Sequence, residues 1–165
     1  MAGEYNPDNL KYRILSGVRM TKNQSRELSG SNPTEDEIRD ILENYTTVAV
    51  VGLSDKPERA SHAVAKYLKE HGYTVIPVNP YKSEILGEKS YPDLASIPRQ
   101  VDIVNIFRNI DAIPGIVDEV IKIKAKVIWM QLGLEHDESA QKAREAGLVA
   151  VQSKCIKVEH AKLMT

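Results

Sequence analysis

The chain has little of what marks simple chemistry. It has one cysteine, Cys155, in 165 residues, so no internal disulfide can form, and that usage fits a reducing interior. No apolar run approaches the ~18 to 20 residues that span a bilayer. The N-terminal stretch MAGEYNPDNLKYRILSG lacks the apolar segment of a secretory signal, so a cytoplasmic location and no membrane partner are expected. A net charge of -1 offers no global attraction to nucleic acid, and an anion site has to be built locally. The four histidines are scattered, with no H-E-x-x-H spacing and no partners for a triad. No carboxylate pair can be placed, no metal site is expected, and no catalytic residue is assigned, so the chain reads as a binding protein before an enzyme.

What the chain does have is one informative turn. Residues 48–65, VAVVGLSDKPERASHAVA, run from a β-branched strand through Gly52 into the first turn of a helix. Such a junction leaves backbone N–H groups unpaired at the positive end of the helix dipole, which favours an anion, usually a phosphate. Lys56 and Arg59 lie inside the same turn.

The remaining pattern supplies a scaffold. Residues 1–33 are polar and read as a flexible N-terminal arm, with Tyr12, Ile14, Leu15 and Val18 as an alternative docking element. A domain over 34–165 opens on TEDE, a capping-box spacing, followed by Ile38, Ile41 and Leu42 on one helical face. Strands are expected at 46–51, 73–78, 101–107, 125–130 and 148–151, with a short edge strand near 89–91. Helices are expected at 60–71, 112–124, 136–146 and 156–163. The alternation calls for a single α/β domain, a Rossmann-like open and mostly parallel sheet with helices on both faces. Trp129, within a strand, is expected in the core.

In a sheet of order 3-2-1-4-5-6, ligands bind beyond the carboxyl ends of the strands where the order reverses. A dinucleotide site needs G-x-G-x-x-G and an acid at the end of the second strand. Here Gly52 stands alone before Leu53, Ser54, Asp55, Lys56 and Pro57, and the second strand ends in Val78, Asn79 and Pro80. Lys56, Arg59, Lys82 and Arg108 come from three loops at the crevice. Four cations suit a ligand with more phosphate than NAD, such as a nucleotide bearing a 3′-phosphate and a pyrophosphate.

Five ordered pieces, VAVVGLSDKPERASHAVAKYL, GYTVIPVNPYKSEILGEKSYPDL, VDIVNIFR, KVIWMQLGLEH and AGLVAVQSKCIKVEH, resemble small stand-alone CoA-binding proteins. Those are related to the N-terminal domain of the succinyl-CoA synthetase α subunit. The resemblance implies a Rossmann-like domain holding coenzyme A or an acyl-CoA in the crevice, as carrier, sensor or accessory protein. It implies that Gly52, Leu53 and Ser54 supply the tight turn and backbone donors, that Lys56 and Arg59 hold phosphates, and that Val78, Asn79 and Pro80 line the nucleotide side. Lys82 joins the cations. Phe107, the one phenylalanine, and Arg108 would contact adenine or phosphate, while Met130, Gln131 and Gly133 border the pantetheine arm. It also places Cys155 near the CoA thiol, where Lys154 and Lys157 favour a thiolate and a mixed disulfide; a buried inert thiol is the alternative. The synthetase's phosphate-carrying histidine belongs to a second domain that has no counterpart in these pieces. Three other readings stay open: an NAD(P)-binding redox sensor or oxidoreductase, an accessory subunit of an acyl-CoA synthetase, and an interaction module with a vestigial site. Partners beyond the small molecule are a second copy in a homodimer or an acyl-CoA enzyme.

Overall fold

The computed structural model describes residues 12–15, 18–21 and 32–164. Within the expected arm, β1 (Tyr12–Leu15) pairs antiparallel with β2 (Val18–Thr21). The rest of the arm up to residue 31 lies outside the described residues. The chain is described again from Asn32, whose Nδ2 donates to the Gln152 carbonyl at 2.8 Å while its Oδ1 accepts the Gln152 N–H at 2.7 Å. Helix α1 (Glu35–Asn44) then starts on the expected capping box. Thr34 Oγ1 accepts the Glu37 N–H at 3.3 Å, and Glu37 Oε1 accepts the Thr34 N–H at 3.2 Å. Its apolar stripe, Ile38, Ile41 and Leu42, is buried.

The order from there is β3 (Thr47–Val51), α2 (Ala60–Glu70), β4 (Thr74–Val78) and a small hairpin of β5 (Glu84–Ile85) and β6 (Glu88–Lys89). It continues with β7 (Ile103–Ile106), α3 (Ile113–Lys122), β8 (Val127–Met130), α4 (Asp137–Glu145), β9 (Val149–Val151) and α5 (Ile156–Leu163). The large sheet is five-stranded and parallel, in the order β4-β3-β7-β8-β9. Parallel strands buried on both faces need apolar side chains in both directions, which is why β3 and β8 read as unbroken apolar runs.

Alternation sends successive residues to two cores. Val48, Val50, Ile103, Val127 and Trp129 pack with α1, α2 and α5, whereas Ala49, Val104, Ile106 and Met130 pack with α3 and α4. The expected sixth strand is cut back. At that edge the chain makes one parallel bridge, Val78 to Tyr91, and Pro92 follows at once with no N–H to extend the ladder. Lys89, expected in that strand, pairs instead with Glu84 within the β5–β6 hairpin. The reversal between β3 and β7 stands as expected and sets where a ligand crevice can open.

Candidate functional site

β3 ends in a bend that only glycine can make. Gly52 has φ +85, in the left-handed region, and its N–H donates to the Val78 carbonyl at 3.0 Å. A Cβ at this position would lie 2.2 Å from the Phe107 carbonyl oxygen and 2.9 Å from Arg108 Cδ. The turn therefore lies directly against the end of β7. Beyond it, the Ser54 N–H donates to Ser61 Oγ at 3.0 Å, and Ser54 Oγ accepts the Lys56 N–H at 3.1 Å. His62 Nδ1 lies 2.9 Å from the Ser54 carbonyl. A carbonyl can only accept, so His62 carries a proton on Nδ1 and pins the loop to α2.

The loop's own bonds change which donors face a ligand. The N–H groups of Gly52 and Ser54, two of the expected donors, are consumed by Val78 and Ser61. The N–H groups of Ala60, Ser61 and His62, in the first turn of α2, have no partner among the described residues. Arg59 caps that helix with extended backbone and no side-chain capping bond, so the dipole end stays open. A groove of about 450 Å³ lies against this end, lined by Gly52, Ser54, Lys56, Arg59, Ala60, Ser61 and Phe107. A second groove of about 350 Å³ adjoins it across Phe107, lined by Arg108, Asn109, Gln131, Leu132 and Leu134.

The cations divide three to one. Lys56, Arg59 and Arg108 line the grooves and form no salt bridge among the described residues, though the Lys56 charge is felt by Asp55. Lys82 is drawn to Asp55 at 2.9 Å, and it lines neither groove. The hydrogen bond from Lys82 holds the Asp55 carboxyl below the usual aspartate range.

Other expected site residues hold the frame. Leu53 and Met130 are 0% exposed: alternation along β8 sends Met130 into one core, and the loop after Gly52 turns Leu53 into the other, and neither side chain lines a groove. Val78 is buried and gives its carbonyl to Gly52. Asn79 Nδ2 donates to the Leu53 carbonyl at 3.0 Å and its Oδ1 accepts the Tyr81 N–H at 2.8 Å, so the side chain staples two loops together. Pro80 is exposed and lines neither groove, and the Gly133 N–H donates to Ser153 Oγ at 3.0 Å. Cys155 caps α5 half-buried and lines neither groove. Lys154 Nζ lies 3.8 Å from Glu159, and Lys157 Nζ lies 5.5 Å from the Tyr67 ring centroid, so both lysines have other partners.

Two residues escaped the sequence reading. Ser61 lines the first groove and braces Ser54; a hydroxyl in the second position of a helix after a glycine bend was the available signal. Asn105 is fully buried in β7, and a lone amide in an apolar strand was the signal there. Among the described residues, no three His, Cys, Asp or Glu side chains gather to hold a metal ion, and no helix is long and apolar enough to cross a membrane.

Comparison with known proteins places this geometry among relatives. A family model described as a CoA binding domain matches residues 46–161. The chain is 44% identical over 130 residues to the uncharacterised protein YneT of Bacillus subtilis, covering 79% of this chain and 96% of that one. It is similar in structure to a hypothetical protein of Pyrococcus horikoshii, with a TM-score of 0.78 and 43% identity over 81% of this chain and 94% of that one. A shorter match, 38% identical over 68 residues, covers 41% of this chain and 15% of the α subunit of an ADP-forming acetate–CoA ligase from Pyrococcus furiosus.

Proposed function

The chain belongs to the CoA-binding domain family, and from that premise we propose that it binds coenzyme A or an acyl-CoA across the two adjoining grooves. The observation that carries the reading is the open N-terminus of α2. Unpaired N–H groups of Ala60, Ser61 and His62 lie at a groove lined by Lys56 and Arg59. The pyrophosphate takes that end, and the pantetheine arm runs past Phe107 and Arg108 toward Gln131. The end of β4 carries Asn79, engaged in stapling loops, where a nicotinamide dinucleotide would want a carboxylate on its ribose. The site supplies grip and orientation, with no residue assigned to a chemical step. Kinship with acetate–CoA ligase subunits supports an accessory role beside a larger acyl-CoA enzyme.

Denaturing the purified protein and identifying the released nucleotide by mass tests the reading. CoA or an acyl-CoA is the expected species, and a nicotinamide dinucleotide in its place overturns it. The same reading carries the thiol end toward Cys155. Protein incubated with oxidised CoA should then gain one CoA by thiol–disulfide exchange, releasing one reduced CoA, in a form that dithiothreitol reverses. An unchanged mass removes that part alone.

A further inference from the structure

In the five parallel strands, polar side chains stand at Thr47 and Thr74, which start β3 and β4, and at Asn105, inside β7. Asn105 is 0% exposed and its Oδ1 has no hydrogen-bond partner among the described residues. Burying an acceptor without a protein partner costs about 1 to 3 kcal/mol, which a leucine of similar size would avoid. A residue kept at such a cost calls for a task other than packing.

The register supplies one. Asn105 pairs with Val50 on one side and Trp129 on the other, and alternation puts its side chain on the face shared by Trp129 and Gln131. Its Nδ2 lies 3.4 Å from the Trp129 carbonyl and 3.4 Å from Gln131 Oε1. A backbone carbonyl accepts and never donates, so Trp129 obliges Asn105 to turn its NH2 toward β8. That NH2 in turn obliges Gln131 to answer with its oxygen. The NH2 of Gln131 is left over, finds no partner among the described residues, and belongs to a side chain that lines the second groove.

We propose that Asn105 is a positioning residue: it holds Gln131 with an amide donor facing the second groove, where that donor reads a neutral carbonyl on the ligand. Given the CoA reading above, on which this rests, the carbonyl is an amide of the pantetheine arm. The site then has two halves of different chemistry. The α2 end takes negative charge, and the β7–β8 end takes an uncharged acceptor.

Calorimetry on the full chain with two ligands tests this. CoA carries the pantetheine arm, and adenosine 3′,5′-bisphosphate carries adenine and phosphates without it. Gln131→Met should weaken CoA about 3- to 10-fold, the range of one neutral hydrogen bond, and leave the bisphosphate unchanged. Asn105→Leu should give the same selective loss with an unchanged or higher melting temperature, since the unpaired buried acceptor is gone. The double variant should lose no more than Gln131→Met alone, because both act through one contact. Equal losses for both ligands, no loss for CoA, or additive losses would each overturn the proposal. Should Asn105→Leu fail to fold, Gln131→Glu decides: with only acceptors to offer, it should weaken CoA more than Gln131→Met, and the reverse order overturns the assignment. Wild-type protein that ignores CoA removes the underlying reading, whereas wild-type binding with unselective variants removes only this inference.

Discussion

Replacing Gly52 by alanine puts the closest contact of the site under test. Two costs arise. Gly52 sits at φ +85, and a residue with a Cβ held in the left-handed region loses ~1 to 2 kcal/mol. The new Cβ would also lie 2.2 Å from the Phe107 carbonyl oxygen, so backbone has to retreat by roughly 1 Å to reach an ordinary contact. Phe107 cannot move freely, because its N–H donates to the Val51 carbonyl at 2.8 Å. Overpacking of this kind costs ~1 to 3 kcal/mol, and straining one hydrogen bond adds about 1. The expected loss is therefore about 3 to 6 kcal/mol. Gly72→Ala is the control: φ is +90 there, but nothing lies within 4 Å of the added Cβ, so only the backbone cost of ~1 to 2 kcal/mol remains. Urea unfolding followed by Trp129, the single tryptophan and 0% exposed, reads both variants against wild type. Gly52→Ala no more destabilising than Gly72→Ala would refute the close approach of the β3 turn to β7.

Further outcomes follow from the charges. Arg59→Ala and Arg108→Ala should each weaken CoA binding by about 1.5 to 3 kcal/mol, the range for charge-assisted hydrogen bonds. Lys82→Ala should weaken it less, because that ammonium is already shared with Asp55 at 2.9 Å; calorimetry of the three variants ranks them, and a larger loss for Lys82→Ala contradicts the ranking. Burial and the neighbouring His71 hold the His160 imidazole below the ordinary histidine range near 6.5. It faces Tyr67 Oη at 2.8 Å, with His71 and Tyr73 packed around it and Glu159 and Lys157 on its own helix. Folding favours the neutral ring, so its contribution is present above pH 6.5 and is lost as pH falls from there toward the lowered folded value. Urea midpoints should drop from pH 7.5 to pH 5 in wild type and drop less in His160→Gln; parallel curves would remove His160 as the cause.

The parts of the molecule legible in the sequence are those governed by local rules. The capping box at Thr34 and the apolar stripe behind it describe α1 without any tertiary information. Gly52 after a β-branched run located the crevice, because the strand–glycine–helix junction is a local motif whose consequence for anions is general. The edge near 89–91 was harder: whether a short strand pairs with β4 or folds back as a hairpin depends on Tyr91 and Pro92 meeting Val78 across space. The same limit applies to Lys82. Its place in the chain marks it as a site cation, and only the fold shows Asp55 reaching it first. Met130 illustrates a third case, since a residue at a strand's carboxyl end can face the crevice or the core, and pairing register decides which.

In the function proposed above, the open α2 terminus, flanked by Lys56 and Arg59, grips the phosphates of a CoA-type nucleotide. Low-salt calorimetry with CoA, NADH and NADPH, run side by side on the full chain, decides the matter. CoA is expected to bind with measurable heat while both nicotinamide nucleotides stay silent; tight binding of NADH or NADPH with no heat from CoA would contradict it.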